Sequence, residues 1–339
     1  MKTRVVIVDD SAFIRRILSD WIQSHPDFEL VGTATNGEEA VELAHRLRPD
    51  VMSMDIEMPK RDGLSALGQI MRECPTRVLM ASSLTTQGAT ATLQALELGA
   101  VDFVTKSGGS LGPQRQDFLE RLKEVSVAKL GSPLRKQPRL LTAKAEGDRV
   151  VVIASSTGGP KALSTLWSCL PPVFPAPILV VQHMPPGFTT SFAARLNSLG
   201  TVPCVEAKAG DPITVGQAYL APGGFHMTLG EGRKIVLDER ATLHGVRPAA
   251  DYLFASVADH YGANTIAVVM TGMGRDGADG AAQLKRMGAR TLGQDEATST
   301  IYGMPRAAKE AGGIDAEFPL DELAAAIVAS LGRKKTHAA

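Results

Sequence analysis

Short apolar runs alternate with stretches of helical period over the first third of the chain. Val5 to Val8 is uninterrupted and apolar, and the segment after it carries Phe13, Ile14, Ile17, Leu18, Trp21 and Ile22 at spacings that predict one buried helix face. Glu29 to Ala34 predicts a second strand, followed by a helix that starts at Asn36 with Glu39 placed for a capping box. Val51 to Met54, Val78 to Ala81 and Val101 to Val104 predict three further strands. Strands that are apolar on both faces and separated by helices predict a parallel sheet covered on both sides, with ligands at the carboxyl ends of its strands.

The pattern breaks between Val127 and Asp148, where Gly131, Pro133 and Pro138 interrupt it and Lys129, Arg135, Lys136, Arg139 and Lys144 give a basic excess. This composition predicts a linker. Apolar strand patterns resume at Arg149 to Ile153, Ile178 to Val181 and Ile266 to Met270. The expected organisation is therefore an N-terminal five-stranded parallel domain over residues 1–126, a linker over 127–148, and a doubly wound, mainly parallel α/β domain over 149–335. A length of 339 residues agrees with two cores rather than one.

Composition narrows the partners. Lys plus Arg (36) equals Asp plus Glu (36), so no net charge favours nucleic acid or a membrane surface. Cys74, Cys169 and Cys204 are odd in number and lack metal-ligand spacing, which predicts small buried residues in a reducing cytoplasm. The start of the chain turns acidic at Asp9 where a secretory signal needs an apolar stretch, and no run approaches the ~18 apolar residues of a membrane span.

The candidate chemistry falls at strand ends. Asp9 and Asp10 close the first predicted strand, Asp55 closes the third, Ser82 follows the fourth and Lys106 the fifth. Clustered carboxylates repel one another unless a hard cation neutralises them, and Mg²⁺ accepts a few carboxylates together with water and phosphate oxygens. These positions, with Met58-Pro59 just after Asp55, resemble the receiver domain of bacterial response regulators, a flavodoxin-like fold. The resemblance implies that Asp55 accepts a phosphoryl group from a kinase phosphohistidine and that Asp9, Asp10, Asp55 and the backbone carbonyl of Glu57 hold Mg²⁺. It also implies that Ser82 and Lys106 contact the phosphoryl oxygens. Phe103 falls where that family places a switch aromatic, without the hydroxyl that a tyrosine would carry.

In the second half, the strand at Val150 to Ile153 runs into Ala154-Ser155-Ser156-Thr157-Gly158-Gly159-Pro160, placing hydroxyls and free backbone N–H groups at a helix start. Such a loop serves a nucleotide phosphate or a nucleophilic serine. The dinucleotide pattern needs G-x-G-x-x-G and a later acid; the glycine spacing fails, and the next strand ends in Gln182-His183. A histidine there is the base a serine nucleophile needs, and Thr271-Gly272-Met273-Gly274-Arg275-Asp276-Gly277 after a third strand presents an acid. His226, beside Met227, is an alternative base that reads better as structural.

Three runs carry a second resemblance: Ser156 to Gly159, Gln182 to Phe188, and Thr271 to Gly277. Together with Ala221 to Met227, they are similar to those of the CheB chemotaxis methylesterase family, and the likeness extends over nearly the whole chain, including the order receiver, linker, catalytic domain. It implies a hydrolase that demethylates glutamyl esters and deamidates glutamines on chemoreceptors. Ser156 would be the nucleophile, His183 the base and Asp276 the orienting acid, with Ser155 a competitor for the nucleophile because Ala154-Ser155 stands where the family often has Gly-Ala. Oxyanion donors are expected among the backbone N–H groups of Thr157, Gly158, Gly159 and Met273. The resemblance further implies a chemotaxis histidine kinase as phosphodonor, Mg²⁺ in the receiver and no cofactor in the esterase. It points to a monomeric chain in the cytoplasm and a receiver that covers the serine site until it is phosphorylated. Two other readings stay open on the residues alone: a phosphorylation-controlled binding module, and a nucleotide-binding domain using Gly158-Gly159.

Overall fold

The computed structural model describes residues 2–83, 85–106, 111–131, 148–200 and 202–332, and the chain divides into two compact units on either side of Gly131. Most of the predicted linker, residues 132–147, lies outside the described residues. Its first residues end the N-terminal unit: Ala128 is buried, and its carbonyl accepts from Arg77 Nε at 2.7 Å.

The N-terminal unit runs β1 (Thr3–Val8), α1 (Ala12–Gln23), β2 (Phe28–Ala34), α2 (Gly37–Leu47), β3 (Val51–Asp55), α3 (Gly63–Glu73), β4 (Arg77–Ser83), α4 (Thr86–Leu98), β5 (Asp102–Lys106) and α5 (Leu111–Ser126). Its five strands are parallel in the order β2-β1-β3-β4-β5, the flavodoxin-like order expected. The order reverses between β1 and β3, so the residues following those two strands face the crevice where such sheets bind ligands.

Two local readings are refined. Asn36 caps α2, accepting from Glu38 N at 3.0 Å and Glu39 N at 3.1 Å, while the Glu39 carboxylate reaches back one residue further than a capping box requires, to Thr35 N at 2.8 Å. On α1 only Leu18 and Ile22 are buried, and Phe13, expected on the apolar face, is 67% exposed. At 3.6 residues per turn Phe13 stands roughly 180° around the axis from Ile22, so the helix that buries Ile22 turns Phe13 outward.

The C-terminal unit runs β6 (Val150–Ser155), α6 (Gly159–Cys169), β7 (Ile178–Gln182), α7 (Phe188–Leu199), β8 (Cys204–Glu206), β9 (Ala218–Leu220), β10 (His226–Leu229), β11 (Ile235–Asp238), α8 (Ala250–Tyr261), β12 (Thr265–Val269), α9 (Ala278–Arg286), β13 (Arg290–Gln294), α10 (Met304–Glu310), β14 (Ala316–Phe318) and α11 (Leu320–Leu331). Seven strands form an all-parallel sheet in the order β14-β13-β12-β6-β7-β9-β8, and β10 and β11 make a separate antiparallel pair. Val150, Val152 and Ala154 pack with Leu253, Phe254 and Val257 of α8, while Val151 and Ile153 are equally buried on the opposite face. Burial on both faces is why these strands read as unbroken apolar runs. The chain winds outward from β6 to β7 and beyond on one side, then returns to β12 on the other. The carboxyl ends of β6 and β12 therefore border the topological switch point.

Among the described residues, no helix is long and apolar enough to cross a membrane.

Candidate functional site

In the N-terminal unit, carboxylate oxygens of Asp9, Asp10 and Asp55 lie within 4.8 Å of one another. Lys106 Nζ bridges two of them, 2.8 Å from Asp9 Oδ2 and 2.6 Å from Asp55 Oδ2. Asp9 and Asp55 are buried and Asp10 is exposed, so the cluster opens to one side. Burial raises the Asp55 carboxyl above the ordinary range; the bonds from Lys106 oppose this without cancelling it, and Asp9 adds repulsion. Burial works against the Lys106 ammonium, yet Asp55 and Asp9 hold it above the usual lysine value. One cation facing three acids leaves an excess of hard oxygen donors, the donor set a divalent cation of the Mg²⁺ type prefers. Glu57 lies two residues past Asp55 and donates its N–H to Asp55 Oδ1 at 3.4 Å.

Ser82 occupies the expected strand end, but its hydroxyl is engaged by α4. Ser82 Oγ donates to Gly88 O at 3.1 Å and accepts from Thr92 Oγ1 at 2.7 Å. Phe103 is buried in β5.

In the C-terminal unit, the ends of β6, β7 and β12 bring the second set of predicted residues together. Ser156 follows β6 and is held by its N–H to Thr271 O at 3.0 Å, across to the second residue after β12. Ser156 is half-buried, whereas Ser155 is fully buried and donates its hydroxyl to Gln182 Oε1 at 2.7 Å. His183 follows β7, its N–H on Ser155 O at 3.1 Å, and its Nε2 lies 2.7 Å from Asp276 Oδ2.

Asp276 is 2% exposed and fully ligated. Besides His183 it accepts from Ala250 N at 2.6 Å and Asp251 N at 3.0 Å, the first amides of α8. Burial alone would raise this carboxyl, but the His183 bond and charge together with the two amides hold it below the ordinary aspartate value. Neither amide has a side-chain signature, so this half of the acid's environment is not visible in the sequence.

Gly158 caps α6 with φ of 76°, and the Gly159 N–H donates to Ser156 O at 2.7 Å, which commits one of the expected oxyanion donors to the backbone. Thr157 is buried, its carbonyl accepting from Thr271 Oγ1 at 3.0 Å. Met273 stands one residue past Gly272, where an added Cβ would lie 2.7 Å from Ser156 Cβ and would also collide with Met304 Sδ. Gly272→Ala should therefore displace Ser156. The expected result is a fall in hydrolysis together with a loss of ~1–3 kcal/mol of stability, read by thermal unfolding; an unchanged rate and melting temperature would show the contact to be unimportant.

His226 does not join the site. It is fully buried, with Nδ1 accepting from Ala249 N at 3.1 Å, Nε2 3.1 Å from Ala241 O, and the ring edge-on to Tyr252 at 4.7 Å between centroids. Both nitrogens serve the backbone, and burial lowers its pKa, so the ring is neutral and structural. Its bond to Ala249 steadies the backbone next to the Ala250 and Asp251 amides that hold Asp276.

Comparison with known proteins matches both units. The CheB methylesterase model covers residues 151–327 and the response regulator receiver domain model covers residues 5–110. A protein-glutamate methylesterase/protein-glutamine glutaminase of Pyrococcus abyssi is 44% identical over 96% of this chain and 93% of its own length. The chain belongs to the CheB methylesterase family. A relative of the same description from Thermotoga maritima is 45% identical over 93% of this chain and 95% of its own. The Thermotoga maritima CheB methylesterase catalytic domain, a solved structure, aligns at 41% identity with a TM-score of 0.52, covering 54% of this chain and 99% of that one. Family membership accounts for the order of the two units, a receiver domain followed by a methylesterase domain.

Proposed function

We propose that this chain is a phosphorylation-activated serine hydrolase that demethylates glutamyl methyl esters on chemoreceptors and deamidates receptor glutamines, with residues 1–126 as the receiver, 127–148 as linker and 149–335 as the catalytic domain. The observation that carries the reading is the hydrogen-bonded His183–Asp276 pair, its acid buried, at the switch point of a parallel sheet where the neighbouring strand leads into the half-buried Ser156.

The reaction follows from that arrangement. Asp276 binds Nε2 of His183, so Nδ1 is the nitrogen left to take the proton from Ser156 Oγ as it attacks the ester carbonyl. The tetrahedral oxyanion is met by backbone N–H groups of Met273 and of the Thr157-Gly158 turn, Gly159 N–H being occupied; losing one such donor typically costs ~3 kcal/mol of transition-state stabilisation. His183 returns the proton to the methoxide as methanol leaves, water attacks the acyl-enzyme by the same base, and the glutamate is released. An amide substrate follows the same path with ammonia leaving.

In the receiver, Asp55 accepts the phosphoryl group from a chemotaxis histidine kinase. Asp9, Asp10, Asp55 and the Glu57 carbonyl would hold Mg²⁺, which neutralises charge on the transferring group when bound. Lys106 contacts the phosphoryl oxygens from the position it now holds between Asp9 and Asp55, and Ser82 does so after release from Thr92 and Gly88. The chain works as a monomer in the cytoplasm on the receptors' cytoplasmic helices.

The test is methanol release from methylated receptor membranes by the full chain, with and without a small phosphodonor and Mg²⁺. Phosphodonor should raise the rate severalfold in the parent and leave Asp55→Asn at the basal rate; equal stimulation of both would dismiss Asp55 as the control input.

A further inference from the structure

Gln182 is the last residue of β7, directly before His183, and is 2% exposed. The β6–β7 ladder ends at the Ser155–Gln182 pair, and the His183 N–H to Ser155 O bond is its last rung. Beyond that rung the Gln182 side chain takes over. Its Nε2 donates to Ser156 O at 3.0 Å and to His183 O at 3.1 Å, so one amide nitrogen ties the main chain of the serine to that of the histidine. Its Oε1 accepts from Ser155 Oγ at 2.7 Å.

We infer that Gln182 is a positioning residue that sets the spacing of Ser156 and His183, and that Ser155 serves by orienting its amide. The inference rests on the proposed roles of Ser156 and His183. Both protons of the amide nitrogen are used, and only the oxygen can accept the Ser155 proton, so the Ser155 hydroxyl fixes which end of the amide faces the two carbonyls. The network is buried and satisfied, the condition under which such groups hold one geometry. Room for it comes from Gly159, where any Cβ would collide with Gln182 Oε1. A serine and its base react fast only in near-attack geometry, and an error of about 1 Å costs on the order of 10²-fold in rate.

The test uses the full chain with phosphodonor, following kcat, KM, active-site titration and melting temperature. Gln182→Glu keeps an acceptor for Ser155 and sets an oxygen against two carbonyl oxygens. Gln182→Met removes the donor with little change of volume. Both should lower kcat per titrated site by ~10²-fold with KM within about twofold, and Ser155→Ala should lower it by about tenfold or less. Ser155→Ala added to Gln182→Met should cost nothing further, because the hydroxyl acts only through the amide. Parental kcat per titrated site in both Gln182 variants, or Ser155 and Gln182 effects that simply multiply, would overturn the inference. An active Ser156→Ala would instead remove the reading on which it rests, so the two failures are separable.

Discussion

Ser156→Ala is expected to lower methanol release by on the order of 10⁵–10⁶-fold, while Ser155→Ala keeps activity within about tenfold of the parent. The two hydroxyls are adjacent in sequence but differ in what surrounds them. Ser155 is the last residue of β6, fully buried, and its hydroxyl is spent on Gln182. Ser156 lies past the strand, half-buried, with its main chain fixed at both ends: N–H to Thr271 O, carbonyl accepting from Gly159 N and Gln182 Nε2. A nucleophile needs an accessible hydroxyl on a rigid backbone; of the two serines, Ser155 is fully buried with its hydroxyl committed, and Ser156 is the half-buried one. Removing it also removes the covalent path, so the loss should appear in kcat, with receptor binding unchanged. Activity retained in Ser156→Ala and lost in Ser155→Ala would reverse the assignment.

The strands that position both candidate sites are legible in the sequence because burial on both faces makes them apolar runs, and the candidate residues stand where those runs stop. Boundaries moved by one or two residues. Val101 falls outside β5, which extends instead through Thr105 and Lys106, polar residues that an apolar pattern does not mark. The short strands β8, β9 and β14, with three residues each, are too brief to show a period, and nothing in their composition announces them.

Within the sites, side-chain chemistry is legible and its support is not. The acids, Lys106, Ser156, His183 and Asp276 are residue types whose chemistry marks them as candidates. The groups that hold them include the Ala250 and Asp251 amides, the carbonyl of Thr271 and a glutamine amide, none of which has a distinctive sequence pattern. Ser82 shows the converse: its place at the strand end is legible, but its present bond to Thr92 depends on how closely α4 approaches β4. His226 sits in a run of family-like residues and already reads better as structural from the sequence; its two backbone partners give the physical reason.

Asp276→Asn should cost ~10⁴-fold in kcat while the fold persists. The aspartate presents two oxygens to three donors, Oδ2 to His183 Nε2 and Ala250 N, Oδ1 to Asp251 N. An asparagine has one oxygen, so either orientation of its amide sets an NH₂ against an N–H. With the oxygen in the Oδ2 position, the NH₂ opposes Asp251 N and the imidazolium loses its counter-charge. With the amide turned, the NH₂ donates to His183 Nε2 and forces the ring proton onto Nδ1, the nitrogen that has to accept the serine proton. Both outcomes disable the base, one by charge and the other by tautomer. The stability effect carries a sign as well. Because the folded-state pKa of Asp276 is depressed, its stabilisation is fully present above the ordinary aspartate value near 3.8 and is lost as pH falls through the folded value. The variant should therefore unfold more easily than the parent at neutral pH, and their melting temperatures should converge as both are acidified through the depressed folded-state value of Asp276. Activity within tenfold of the parent in Asp276→Asn would mean that another group orients His183, and Asp251, whose carboxylate pairs with His244 at 2.9 Å, would be the next residue to replace.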